Sequence, residues 1–397
     1  MASALAGVTI IDLTHMLSGP YAGMILADLG AETIKVEPLA GEGTRKLLQS
    51  DPEYSLGGQG AYFITLNRNK KSVAIDLKSA EGLEVFYDIV RQADIVLDNF
   101  AADVTTKLKI DYQHLVQVNP KIITCSISGF GSEGPQYRRT AFDQVVQALG
   151  GGMSITGVDK DAPMRAGIPI GDLGGGMFAV MGVLAALRER DQTGVGQHVD
   201  ISMLDVQISL LNYMATMYFM SGKNPEPIGN SHFVHVPYNS FKTGNGHIII
   251  AVIFDKFWEA LIDVLDVPEF RDEKYKGQPG RLGDKEFIEA RLNEILATQS
   301  TEHWLELFEA HRIPCARVNN FGQALSDEQV LHRKMVVDLF NDQGQSVKGP
   351  GNPIKLSRHE DSYAPAPALG ADTESVLAMM GYDYSRIEAL RAAGAIR

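Results

Sequence analysis

Short apolar runs alternate with longer stretches of helical periodicity through the first half of the chain. Residues 8–13 (VTIIDL) are β-type, 20–29 carry apolar positions at helical spacing behind the start signal Ser18-Gly19-Pro20, and 32–37 (ETIKVE) return to strand character. A strand, a helix and a strand so closely linked predict a βαβ unit with a parallel pair. The alternation continues with strands over 72–77, 94–99 and 121–128 and helices over 79–92, 112–118 and 141–149. It predicts a Rossmann-like open parallel α/β sheet, whose ligands sit outside the carboxyl ends of the strands.

The most continuous apolar run, 177–187, predicts a buried helix with Asp172 at or just before its N-terminus and Gly174, Gly175 and Gly176 in between. A strand over 198–201 and one long helix over 203–220 follow. The stretch 221–236 is rich in Pro, Gly and Asn and marks a boundary, so residues 1–222 form the large domain. Beyond it, 238–253 predicts a hairpin turning at Gly244-Asn245-Gly246, with helices over 255–265, 284–298 and 301–311. Residues 223–330 therefore form a smaller α+β domain. Strand character at 316–319 and 336–340 and helices over 373–381 and 385–393 complete the chain.

At 397 residues the chain can bury a large core. Its formal charge of −13 argues against nucleic acid or an anionic membrane as partner, since those surfaces need a basic face. The run 177–187 is too short to cross a bilayer, and the N-terminus lacks a basic segment before its apolar run. Cys125 and Cys315 are the only cysteines, which excludes a disulfide framework and makes a reducing cytoplasm the expected location. His232 and His235 are the one tight histidine pair, with no third ligand nearby, so no metal is expected.

The turn after the first strand, residues 14–20, has no G-x-G-x-x-G, and neither a phosphate loop nor a nucleophile elbow occurs. Asp172 stands out instead. An Asp before an apolar helix is most often only a cap. A helix start nevertheless converges N–H groups and positive dipole on such a place, and glycines let a substrate approach closely.

Several stretches in order turn that balance: DLTHMLSGPYAGMILADLGAETIKVE, NRNKKSVAIDLKSAEG, ADIVLDNF, PKIITCSISGFGSEGP, AFDQVVQALGG, GIPIGDLGGG and TGVGQHVDISMLD. Together they resemble the class III CoA-transferase family, which includes formyl-CoA and carnitine-CoA transferases. The resemblance implies two ring-like subunits threaded through each other as a homodimer, with residues 331–397 returning to the large domain. It also implies that Asp172 is the catalytic nucleophile and that coenzyme A, as acyl-CoA, is the bound cofactor, with a small carboxylic acid as co-substrate. The CoA contacts implied are Leu17 and Ser18, Ile75 to Lys78, Asn99, Phe100 and Ala101, and Thr140 to Asp143, which takes in Phe142, with Lys107 near the phosphates. Arg139 is a further basic candidate for those phosphates. Where formyl-CoA transferase has an arginine after the second strand this chain has Pro38, and Arg45 is the candidate substitute. The glycine-rich flap of that enzyme has no counterpart.

The same family holds α-methylacyl-CoA racemases, which pair the aspartate with a His-Asp motif to move a proton. Here the pair is Phe142-Asp143, and phenylalanine carries no proton, which favours transfer; a non-catalytic acyl-CoA-binding protein is the remaining alternative. The mechanism implied is attack of Asp172 on the thioester, giving a mixed anhydride and then an aspartyl-CoA thioester. In that scheme the helix end lowers the Asp172 pKa, Gly174–Gly176 supply amide hydrogens to the oxyanion, and His15 and His232 meet the acyl carboxylate, with succinyl-CoA as a donor.

Overall fold

Six strands make one parallel sheet: β1 (Thr9–Asp12), β2 (Glu32–Glu37), β3 (Lys70–Ala74), β4 (Ile95–Asp98), β5 (Ile123–Ser128) and β6 (His198–Ser202). Their order is β3-β2-β1-β4-β5-β6, so the direction of winding reverses between β1 and β4. Apolar strand positions point to both sides of the sheet because both faces are covered. Ile11, Val36, Val73 and Val96 pack on one face with Phe86 and Ile89, and Ile10, Ile95, Leu97 and Cys125 pack on the other with Leu26 and Val183.

The computed structural model describes residues 3–397, and the chain divides into two units. The first takes residues up to Gly152, then Arg165–Gly222 and Glu328–Arg397; the second takes Met153–Met164 and Lys223–Asp327. The division 1–222, 223–330 and 331–397 is thus corrected at two places. Residues 153–164 leave the large domain because the backbone of Gly229 donates to the Gly157 carbonyl at 2.8 Å. The return to the first unit starts at Glu328, with the helix Glu328–His332.

Helices flank the sheet in the first unit. They are α1 (Ser18–Asp28), α2 (Ala61–Asn67), α3 (Ala80–Val90), α4 (Asp143–Leu149), α5 (Ile170–Thr193), α6 (Met203–Leu211) and α7 (Tyr213–Ser221). The single helix expected over 203–220 is broken at Asn212, whose φ is +49°, and the Asn212 side chain caps α7 by accepting from the Tyr213 N–H at 2.7 Å. Helix α5 begins seven residues before the apolar run. By length and composition it could cross a bilayer, but half of its most apolar stretch is buried inside the unit.

The third strand lies earlier than its apolar run suggested. Lys70 and Ser72 are buried strand residues with partners, whereas Ile75 leaves the ladder to bridge Ile396 of the tail. The tail covers that sheet edge: Asp76 donates its N–H to the Ala395 carbonyl at 2.9 Å, and Ser72 donates its own to the Asp372 carboxylate at 2.8 Å. Val376, Leu377, Ile387 and Ile396 then join the core. The second unit holds the antiparallel strands β7 (Tyr238–Lys242), β8 (His247–Ala251) and β9 (Cys315–Arg317) in the order β9-β8-β7, packed through Phe241, Ile248 and Ile250 on Trp258, Leu292 and Phe308.

Candidate active site

The winding reversal leaves a crevice at the carboxyl ends of β1 and β4, where open α/β sheets take ligands. The loop after β1 is clamped from beneath. Asp12 accepts from the Thr14 N–H at 2.8 Å and pairs with Lys70 Nζ at 2.7 Å, while Lys35 Nζ donates to the Thr14 carbonyl at 2.7 Å. Above the clamp, the His15 N–H donates to Asn99 Oδ1 at 2.9 Å and Asn99 Nδ2 donates back to the His15 carbonyl at 2.7 Å. This pair ties the loop after β1 to the loop after β4. The His15 ring lies 5.6 Å from Phe100, and burial holds its pKa below the usual imidazole value, so it is neutral at pH 7.

Two cavities open there and adjoin at His15, Met16 and Phe100. The smaller, about 230 Å³, is lined by Leu17, Ser18, Asn99, Ala101, Arg139 and Phe142, and Asp172 faces it. The larger, about 520 Å³, is bounded by Pro38, Ile75, Lys78, Val104 and Leu108. Most residues expected at the site therefore meet in one crevice although they come from five separate stretches of the chain.

Asp172 is the third residue of α5, inside its first turn and not its cap. Its carboxylate has no hydrogen-bond donor among the described residues, and burial together with the charge of Asp143 pushes its pKa up to about 6. The lowering expected from the helix end is thus corrected. The Asp143 carboxylate holds that end instead, with Oδ1 accepting from the N–H of Gly171 at 2.7 Å and of Asp172 at 3.3 Å. Asp143 is accordingly a strut between α4 and α5, and it does not line the cavity.

The glycines also serve otherwise than expected. Gly174, Gly175 and Gly176 are interior residues of α5, whose N–H groups belong to the helix ladder and not to an oxyanion. A Cβ on Gly174 would meet Val206 at 2.9 Å, on Gly175 the Ser18 Oγ at 2.8 Å, and on Gly176 the Ser18 carbonyl at 2.7 Å. Their missing side chains let α1 and α6 pack onto α5, and the close approach is of protein to protein.

Three basic or aromatic candidates fall elsewhere. Arg45 grips Glu37 through Nε at 2.6 Å and Nη2 at 2.7 Å and stacks on Phe63, so it does not replace the missing arginine at Pro38. Lys107 is exposed on the helix Val104–Lys107 and lines neither cavity. His232 lies in the second unit, where its Nδ1 accepts from the N–H groups of Val234 and His235 at 3.0 and 3.1 Å, which makes it the staple of a turn.

Sequence reasoning missed Tyr62 of α2, which lines the smaller cavity and whose hydroxyl pKa is pushed up to about 12 by burial and by the charges of Asp172 and Glu42. No spacing rule points to it. The Ser18 hydroxyl, expected as a CoA contact, is buried and has no hydrogen-bond partner among the described residues.

Comparison with known proteins places this geometry. Residues 5–373 match the model of CoA-transferase family III. The chain is 33% identical over 396 residues to the human succinyl-CoA:glutarate CoA-transferase, covering 99% of this chain and 90% of that protein. It is 36% identical to the succinate–glutarate CoA-transferase of Agrobacterium fabrum, covering 94% and 95%. Among solved structures, a CaiB/BaiF family protein from Brucella suis superposes with a TM-score of 0.84 at 32% identity, covering 96% of this chain and all of that one. The chain belongs to CoA-transferase family III, and it is an enzyme of that CoA-transferring kind.

Proposed function

We propose that the protein moves CoA from an acyl-CoA thioester, with succinyl-CoA as a donor, to a free dicarboxylic acid through covalent intermediates on Asp172. The observation that carries this reading is a half-buried carboxylate, without a donor of its own, facing a cavity at the switch point of the sheet. An ionised carboxylate with no hydrogen bonds to share its charge is a competent nucleophile, and a pKa of about 6 leaves it ionised at pH 7.

The larger cavity beside Ile75 and Lys78 suits the nucleotide end of CoA, and the passage at His15 and Phe100 leads its arm to Asp172. Asp172 attacks the thioester carbonyl, the C–S bond breaks and CoA thiolate leaves. The thiolate then attacks the Asp172 carbonyl of the mixed anhydride, expelling the donor acid and leaving an aspartyl-CoA thioester. The acceptor carboxylate attacks that thioester, and the released thiolate takes the acceptor's acyl group from the second anhydride. Asp172 is regenerated with no net proton change. Arg139, at the cavity wall, offers charge to an incoming carboxylate.

The succinate and glutarate in the relatives' names support a dicarboxylic acceptor. Phe142, 62% exposed at the cavity, supports transfer over racemisation because it has no proton to give. A homodimer belongs to the same reading and is supported by Phe219 and Met220 of α7, 82% and 84% exposed. A cytoplasmic location rests on the paucity of cysteine alone.

Mixing the enzyme with succinyl-CoA and hydroxylamine, followed by peptide mass spectrometry, is expected to tag Asp172. A tag on another residue, or none while CoA exchange proceeds, refutes the covalent route. Exchange assays with mono- and dicarboxylic acids then identify the acceptor.

A further inference from the structure

A helix start is an unpromising place for a nucleophilic carboxylate. A carboxylate that accepts two or three backbone N–H bonds can fall below a pKa of about 2, and it shares the electron pairs it needs for attack. At the start of α5 every one of these donors is already taken. Ile170 donates to the Ile168 carbonyl at 2.8 Å and Leu173 to the Pro169 carbonyl at 3.0 Å. The two between them, on Gly171 and Asp172, both go to Asp143 Oδ1.

Asp143 is itself held. Its Oδ2 accepts from Gln147 Nε2 at 2.7 Å, and Gln147 Oε1 accepts from the Ala166 N–H at 2.9 Å. Gln147 is 2% exposed, so α4 grips the approach to α5 at Ala166 and at Gly171–Asp172 through one buried pair of side chains.

We propose that Asp143 is a positioning residue: by taking the N–H groups at the start of α5 for itself, it withholds them from Asp172 and leaves the nucleophile's carboxylate unshared and facing the cavity. This rests on the nucleophilic role proposed for Asp172. Asp143 on α4 and Tyr62 on α2 interact with that carboxylate through charge, and His15 after β1 and Arg138 and Arg139 ahead of α4 line the cavity it faces. Asp143 supplies the charge that adds to burial in raising Asp172. Both effects make Asp172 more basic, and a more basic carboxylate attacks faster once ionised.

The test is single-turnover consumption of succinyl-CoA, by rapid quench, as a function of pH. In the wild-type enzyme the rate is expected to be half-maximal near pH 6. Asp143→Asn keeps one oxygen for the two N–H groups but removes the charge. It is expected to move the midpoint acidward by about one pH unit and to lower the plateau roughly tenfold. Asp143→Glu is expected to restore the midpoint. Asp143→Ala frees both N–H groups for Asp172, and a folded Asp143→Ala enzyme with the wild-type midpoint and plateau overturns the proposal.

A direct ¹³C NMR titration of Asp172 in the wild-type protein needs no variant to fold. A value near 6 is expected, whereas one near the ordinary value of about 4 overturns the role given to Asp143. Absence of any Asp172 acylation, with the NMR value near 6, refutes the nucleophilic reading and leaves the electrostatic role of Asp143 standing.

Discussion

Asp12 at the end of β1 and Asp172 at the start of α5 are both drawn out of water in the same unit, and their protons are held in opposite ways. Burial pushes Asp12 up, but the charges of Lys70 and Lys35 and the hydrogen bonds from Lys70 and Thr14 more than offset it, and its pKa falls below the usual value. Asp172 meets the same penalty with no cation and no donor, and a second carboxylate adds to it, so its pKa rises to about 6. Burial alone therefore does not tell a clamped carboxylate from an open one. The partners do: Asp12 is clamped and holds a loop, whereas Asp172 is left open and faces a cavity.

The widest separation between the two comes from removing the open one. Asp172→Ala is expected to lower CoA transfer by roughly 10⁴-fold or more while acyl-CoA binding stays within a few-fold, read by exchange assay and equilibrium dialysis. Breaking the clamp instead attacks the fold. Lys70→Met leaves Asp12 without its ion pair and removes a donor from the Pro20 carbonyl and Asn67 Oδ1. A loss of about 3–5 kcal/mol is expected in urea unfolding, because a buried charge loses its partner.

Gly176→Ala tests the packing that joins the two regions, since its Cβ would meet the Ser18 carbonyl, a backbone atom that cannot swing aside. A loss of about 1–3 kcal/mol is expected, with impaired turnover because Ser18 lines the cavity.

The smallest effect carries the opposite sign. A carboxylate whose pKa is raised in the folded state binds its proton more tightly there, so its contribution to stability is present below the unfolded pKa and is lost as pH rises through about 6. At neutral pH the native protein carries the cost of that desolvated charge. Asp172→Asn should therefore stabilise the protein by about 1–2 kcal/mol at pH 7, after discounting for partial solvation, and by nothing below about pH 4. Melting curves at the two pH values check it; equal shifts at both would remove the distinction between the two carboxylates. Asp12 follows the opposite course, its stabilisation disappearing only as acid protonates it.

Much of the sheet was legible because strands covered on both faces are written as short apolar runs, such as Ile10-Ile11 and Ile95-Val96-Leu97. Where a strand carried charge the pattern failed. Lys70 is a buried residue of β3 only because Asp12 waits for it 58 positions away, and no local window holds both. The break at Asn212 was likewise hidden, since the residues on either side suit a helix and only the backbone at one position departs from it.

Periodicity carried the parallel α/β architecture, and the family resemblance borne by the ordered motifs pointed to the residues that meet at the carboxyl ends of β1 and β4 and to Asp172 as the residue to test, because both signals are local properties of the chain. Only the tertiary structure decided what each of those residues does there. Whether a carboxylate is clamped, shared or free depends on which donors from distant segments reach it. By that criterion Asp143 became a cap for another helix, Gly174–Gly176 became a packing surface, Arg45 became a partner for Glu37, and Asp172 was left open.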